Sequence, residues 1–178
     1  MKFLNIKIIT IILLMMVACI NKNSEQKDNR GYIVKVGDIA PDFEMNFIDG
    51  GNKRLSDLRG KVIMLQFTAS WCGVCRKEMP FIEDEIWQFH KDENFVVIGI
   101  DRDESLEKVQ KFIKDTGVSY PISLDPGANI FQLFAKKEAG VTRNVIIDKS
   151  GKIVFLTRLF ERKEFNAMKE KISSLLKG

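Results

Sequence analysis

Two cysteines stand three positions apart in Trp71-Cys72-Gly73-Val74-Cys75. The apolar run Val62-Ile63-Met64-Leu65-Gln66-Phe67 precedes them, and an amphipathic run from Arg76 to His90 follows. Thiols so spaced at a strand-to-helix junction can close into one disulfide. The first sits where a helix begins, so unpaired backbone N–H groups and the helix dipole favour its thiolate. The thiolate is the nucleophile of disulfide exchange, and such a motif can lower a cysteine pKa from about 8.5 to about 3.5–7.5. The pattern therefore points to a redox dithiol. A zinc site normally takes four ligands, and only Cys19 and His90 remain as further Cys or His. A purely structural disulfide closing so short a loop would constrain the unfolded chain little.

The elements that must hold this pair can be read from pattern. Phe43 to Ile48 and Lys53 to Leu55 flank Asp49-Gly50-Gly51-Asn52, a strong hairpin signal. Ser56-Asp57-Leu58 reads as one capped turn before Gly60. Val62 to Thr68 is a buried strand, and the following helix is expected to place Ile82, Ile86 and Phe89 on one face, with a kink at Pro80. Phe95 to Ile100 is a second apolar strand. Leu106, Val109, Phe112 and Ile113 have helical spacing that stops at Gly117. A short strand over Tyr120 to Leu124 and a short helix over Asn129 to Ala135 follow. Two strands, Asn144 to Asp148 and Lys152 to Thr157, are joined by the turn Lys149-Ser150-Gly151, and Glu161 to Leu176 is the closing helix. Alternating strands and helices, then a hairpin and a last helix, predict an α/β sandwich with a mixed sheet.

The 178 residues suffice for one domain with a real core, and 45% hydrophobic with 29% charged content reads as globular. The formal charge is +4. Residues 1–18 hold Lys2 and Lys7 and no acid, so the remainder carries +2, which gives no reason to expect nucleic acid. The N-terminus reads as a targeting segment, in which Lys2 and Lys7 precede the apolar run Ile8 to Val17. That run is too short for a confident membrane span. It ends in Met16-Val17-Ala18-Cys19, which resembles a bacterial lipobox with Met for the usual Leu; the cysteine would be lipidated and become the mature N-terminus. Cleavage after Ala18 and an uncleaved anchor are the other readings. The polar stretch Asn21 to Arg30 reads as a flexible tether. The expected organisation is a signal peptide (1–18), a lipidated Cys19 and tether (19–34), and one folded domain (35–178). Export would place the dithiol where disulfides persist, lipid-anchored to a membrane with the domain facing the periplasm or extracytoplasmic space.

With these elements in place, the chain resembles the thioredoxin-like TlpA/ResA group of extracytoplasmic thiol–disulfide oxidoreductases from about Val36 to Lys177. Several separated motifs carry the likeness. They are Val36-Gly37-Asp38-Ile39-Ala40-Pro41-Asp42-Phe43, Leu55-Ser56-Asp57-Leu58-Arg59-Gly60-Lys61, Phe67-Thr68-Ala69-Ser70-Trp71-Cys72, Cys75-Arg76-Lys77-Glu78-Met79-Pro80 and Ile146-Ile147-Asp148-Lys149-Ser150-Gly151-Lys152-Ile153. The resemblance implies a three-layer sandwich: a central mixed sheet, helices on both faces and an N-terminal hairpin extension.

The resemblance also implies roles. Cys72 would attack a substrate disulfide, and Cys75 would resolve the mixed disulfide. Glu78, one turn beyond Cys75, would be an acid–base partner, or else an ordinary solvated glutamate. Trp71 would shape the rim or simply pack. Gly73, Val74, Val141, Thr142 and Arg143 would line the substrate site. The resemblance implies a disulfide-bearing client protein, a membrane thiol donor, a monomer, and no metal or organic cofactor. Reduction of a client, in cytochrome c maturation or envelope redox homeostasis, is the expected direction.

Two positions depart from the wider superfamily. Gln66 stands where many thioredoxins keep a buried acid, leaving Glu78 as the one nearby acid to nominate. Thr142 stands where a cis-proline usually faces the dithiol. A cis bond before a non-proline costs about 2.5–4 kcal/mol, so a trans Val141–Thr142 peptide is expected. Thr142 would then bring a hydroxyl near sulfur, and Arg143 a charge that could favour thiolate. A peroxiredoxin-like thiol peroxidase is an alternative, but its P-x-x-x-T-x-x-C pattern meets Leu65 and Ala69 here. A non-enzymatic, lipid-anchored client-binding module is another.

Overall fold

The computed structural model describes residues 30–178. The expected signal segment, Cys19 and residues 20–29 of the tether lie outside these residues. Among the described residues no helix is long and apolar enough to cross a membrane.

Seven strands form one mixed sheet. They are β1 (Glu44–Phe47), β2 (Asn52–Arg54), β3 (Val62–Thr68), β4 (Phe95–Arg102), β5 (Ile122–Asp125), β6 (Arg143–Ile147) and β7 (Ile153–Leu156), in the order β2-β1-β5-β4-β3-β6-β7. β3 is central and buried along all seven residues, which is why it reads as a continuous apolar run rather than an alternating one. It pairs parallel with β4 and antiparallel with β6. The hairpin β1–β2 joins the sheet through antiparallel pairing of β1 with β5.

Alternate residues of β3 feed two cores. Val62 and Met64 pack on one face with Met79, Ile82, Val109, Phe112, Phe165, Met168 and Ile172. These come from helices α1 (Gly73–Ile82), α2 (Leu106–Thr116) and α3 (Arg162–Lys177). Ile63, Leu65 and Phe67 pack on the other face with Tyr32, Phe43, Leu55, Leu58, Phe131 and Phe134. That face is covered by short 3₁₀ turns (Leu55–Leu58, Phe131–Leu133) and by the extended segment after Arg30. The three layers are as expected, with the long helices gathered on one side. Two parallel crossovers in the same direction, β3-α1-β4 and β4-α2-β5, put both helices on one face when each is right-handed.

Two expectations are corrected. Phe89 is 77% exposed, although Ile82 and Ile86 are buried. After α1 the chain makes a π-turn over Glu83–Trp87 before the last helical turn Gln88–His90. Its wider i→i+5 winding slips the phase and turns Phe89 outward. Pro80 is carried inside α1. Residues 129–135 do not form one helix. The Asp125 carboxylate accepts from the N–H of Ile130 (2.7 Å) and of Phe131 (2.9 Å), and Gly127 adopts φ 72°, so the chain folds as two 3₁₀ turns, Pro126–Ala128 and Phe131–Leu133. The segment before residue 35 also packs on the folded body. Tyr32 is buried, and its hydroxyl donates to the carbonyls of Thr157 (2.6 Å) and Asn144 (3.1 Å).

Candidate active site

The dithiol sits at the carboxyl end of β3. Cys72 caps α1: its backbone is extended (φ −87°, ψ 102°) and its Sγ accepts from the N–H of Cys75 at 3.1 Å. This is the thiolate-favouring position the sequence indicates. The pair is disulfide-bonded, with Cα atoms 5.3 Å apart. Cys72 keeps 8% exposure while Cys75 has none, so an incoming sulfur can reach only Cys72. Among the described residues no group of three or more His, Cys, Asp or Glu could hold a metal ion.

The structure brings the expected residues together unevenly. Trp71 is 63% exposed at the rim, with Gly73 exposed and Val74 half-buried beside it. Val141 and Thr142 are buried in the facing loop. The Thr142 hydroxyl lies 3.1 Å from Cys72 Sγ and 3.3 Å from Cys75 Sγ. No peptide bond among the described residues is cis, so the Val141–Thr142 bond is trans, as expected. Arg143 is fully buried rather than at the substrate surface. Its Nη2 donates to the carbonyls of Gly140 (2.8 Å) and Arg30 (3.3 Å), and its guanidinium lies over the rings of Tyr32 and Phe131. It starts β6 opposite Phe67, which directs its side chain into the core below Thr142.

Glu78 is 1% exposed, three residues beyond Cys75 on α1 and on the same inward side. Burial raises its pKa to about 7, against the opposing pull of the Asn144 and Gln66 amides, and the charge of Glu164 adds to the rise. Asn144 Nδ2 donates to Glu78 Oε1 at 2.7 Å and to Thr157 Oγ1 at 2.9 Å. Glu78 is therefore no solvated surface residue.

Several groups near the site were not nominated from the sequence. Asn144 is one; it lies two residues after Thr142 and pairs in register with Gln66, so strand alternation could have found it. Glu104 accepts from both the N–H (2.5 Å) and the hydroxyl (2.6 Å) of Ser70, while Arg76 Nε donates to the Ser70 carbonyl at 2.7 Å. This clamp fixes the approach to Cys72. Asp101, opposite Thr68 in the sheet, is buried with neither carboxylate oxygen hydrogen-bonded. Burial, then the charges of Glu104 and Asp125, raise its pKa to about 8. Glu104, held on Ser70 two residues before Cys72, is thus a second acid beside this segment. The position where a peroxidase pattern places a threonine is the buried methyl of Ala69.

Residues 36–156 match the AhpC/TSA family. The thiol–disulfide oxidoreductase ResA of Bacillus cereus is 31% identical over 121 residues, 68% of either chain. ResA of Geobacillus kaustophilus is 32% identical over 120 residues, 67% of either chain. Among solved structures, a candidate protein disulfide isomerase from Bacteroides thetaiotaomicron is 61% identical, with a TM-score of 0.81 over 83% of this chain and 94% of that one. A candidate thiol:disulfide interchange protein DsbE from Chlorobium tepidum is 28% identical, with a TM-score of 0.72 over 80% of this chain and 99% of the other.

Proposed function

The chain belongs to the AhpC/TSA family as a ResA-like thiol–disulfide oxidoreductase with a Cys72–Cys75 pair, and we propose that it works as a membrane-tethered, extracytoplasmic protein disulfide reductase. The observation that carries the reading is the asymmetry of the pair: a capped, accessible Cys72 over a buried Cys75, with the buried Glu78 one turn away. In the reduced protein the Cys72 thiolate attacks one sulfur of a client disulfide. A Cys72–client bond forms, and the other client sulfur leaves as a thiolate and takes a proton. Cys75 then loses its proton, with the Glu78 carboxylate as acceptor, and attacks Cys72 Sγ. The Cys72–Cys75 bond forms, the second client thiolate leaves, and two electrons have passed to the client. A membrane thiol donor would return the pair to the dithiol.

Lipidation of Cys19 would tether the domain outside the cytoplasm, consistent with the signal-like residues 1–18. Client reduction in cytochrome c maturation is one role this chemistry would serve, and envelope redox homeostasis another. The test is trapping with Cys75→Ser, which stops the reaction at the mixed disulfide. Client proteins released by reductant, and absent from Cys72→Ser, are the expected result. Wild-type protein should also speed insulin reduction by dithiothreitol. No trapped client together with no insulin turnover would overturn the reading. Peroxide consumption surviving Cys75→Ser would instead favour the peroxidase, and cellular function surviving loss of Cys72 the binding module.

A further inference from the structure

We propose that the Thr142 hydroxyl is a catalytic group, donating a hydrogen bond to the Cys72 thiolate and then to the Cys75 sulfur as exchange proceeds. This rests on the thiol-exchange reading of the site. The oxygen is the one side-chain oxygen placed on both sulfurs among the described residues, at 3.1 and 3.3 Å. A hydroxyl carries one proton and rotates it to the stronger acceptor. In the disulfide neither sulfur is charged. Once the bond opens, Cys72 Sγ carries charge and faces two donors, the Cys75 N–H and the Thr142 O–H. Hydrogen bonds to an ionised partner are roughly twice as strong as neutral ones. A proline in this place would offer sulfur neither an N–H nor an O–H.

The surroundings hold the hydroxyl there. Thr142 is buried, so water does not compete strongly for its proton. Its own carbonyl accepts from Arg158 Nη1 at 3.1 Å and from the Leu159 N–H at 3.3 Å. Glu164 accepts from the Arg158 N–H at 3.2 Å and pairs with Arg30 at 2.7 Å. Leu159 is kept at φ 68°, a conformation a leucine rarely adopts, so the turn that presents these donors is set by its surroundings. Arg143, the other group expected to favour thiolate, directs its Nη2 to carbonyls of Gly140 and Arg30. The hydroxyl forms no covalent bond and gives up no proton; it turns from one sulfur to the other as the charge moves.

The experiment compares Thr142→Val, which keeps the shape and removes the oxygen, with Thr142→Ser, which keeps the oxygen. Cys72 pKa is read on the reduced proteins by ultraviolet thiolate absorbance and by alkylation rate against pH. Valine is expected to raise that pKa by about one to two units, a tenfold to hundredfold fall in the thiolate ratio, and serine to restore it. Intrinsic thiolate reactivity rises with pKa, with a Brønsted slope of about 0.4–0.5. The valine variant should therefore reduce a small disulfide more slowly than wild type at low pH and faster at high pH. Crossing profiles are not what a loss of packing would give. A folded Thr142→Val protein with an unchanged Cys72 pKa would overturn the proposal. Should valine prevent folding, Thr142→Ala against Thr142→Ser decides in the same way. The pKa readout needs no client, so it stands apart from failure of the reductase reading.

Discussion

Glu78 owes its chemistry to where its helix puts it. A glutamate on a solvated helix face would titrate near 4.5; burial one turn beyond Cys75 raises Glu78 to about 7. At neutral pH it is then divided between carboxylate and acid, the balance that the proposed proton exchange with Cys75 requires. Glu78→Gln keeps an oxygen for Asn144 Nδ2 and removes the proton exchange. We expect the resolving step to slow by about 10²-fold, within the usual range for a lost acid–base group, and the inflection near pH 7 to vanish from the rate profile. Stopped-flow reduction of a small disulfide across pH checks this. Cys72 ionisation also shapes the overall profile, so the resolving step is read by itself; an inflection that survives there would assign the proton to another group, and Asp101, at about 8, is the buried acid nearest in titration. The residue types of the site were legible in the sequence, because cysteine spacing and a helix start define them. The partners were not. Asn144 reaches Glu78 from a strand 66 residues away in sequence, and Glu104 reaches Ser70 across 34 residues.

At the scale of elements, two junctions meet at the dithiol: β3 into α1, and the loop before β6. The first followed from local pattern, because an apolar run and a capped amphipathic run leave few choices. The second depends on the turn between β7 and α3, whose Arg158 lies against Gly140 and donates to the Thr142 carbonyl. A Cβ on Gly140 would stand 2.2 Å from Arg158 Nη2, the far end of a flexible side chain. Gly140→Ala should therefore displace the guanidinium rather than the backbone. Its cost in stability should stay within about 0.5 kcal/mol, as for most surface changes, while Thr142 loses one of its two anchors. We expect the Cys72 pKa to move part of the way toward that of Thr142→Val, measured with the same titration, and the melting temperature to change little. A large fall in melting temperature with no pKa change would show that Gly140 serves the fold alone. Elements set by local winding were the ones misjudged from sequence. The π-turn at Glu83–Trp87 is pinned by Glu83 accepting from the Ser119 N–H (2.8 Å) and hydroxyl (2.7 Å), contacts no helical periodicity reports.

Across the whole molecule, two buried acids tie stability to pH. Burial raises Glu78 to about 7 and Asp101 to about 8, from ordinary values of 4.5 and 3.8. Below about pH 3 both are protonated, folded or unfolded, and neither costs stability. Above that, the unfolded chain releases these protons while the folded one retains them, so unfolding sheds protons and stability falls as pH rises toward 8. Asp101→Asn removes the larger share. Its melting temperature should exceed wild type by several degrees at pH 8, where about 1 kcal/mol corresponds to about 2–8 °C, and by much less at pH 4. Circular-dichroism melts at the two pH values check the sign; a variant equally destabilised at both would refute it.

The sequence by itself determined the α/β alternation, the central strand β3 and the redox pair at a helix start, because each depends on residues adjacent in the chain. Only the tertiary structure decided that Thr142 faces both sulfurs while Arg143 turns into the core. It alone buried Glu78 and Asp101 and gave Arg158 its anchoring role. Burial and cross-sheet contact depend on how distant segments pack, and hydroxyl–sulfur distance and carboxyl pKa follow from that packing.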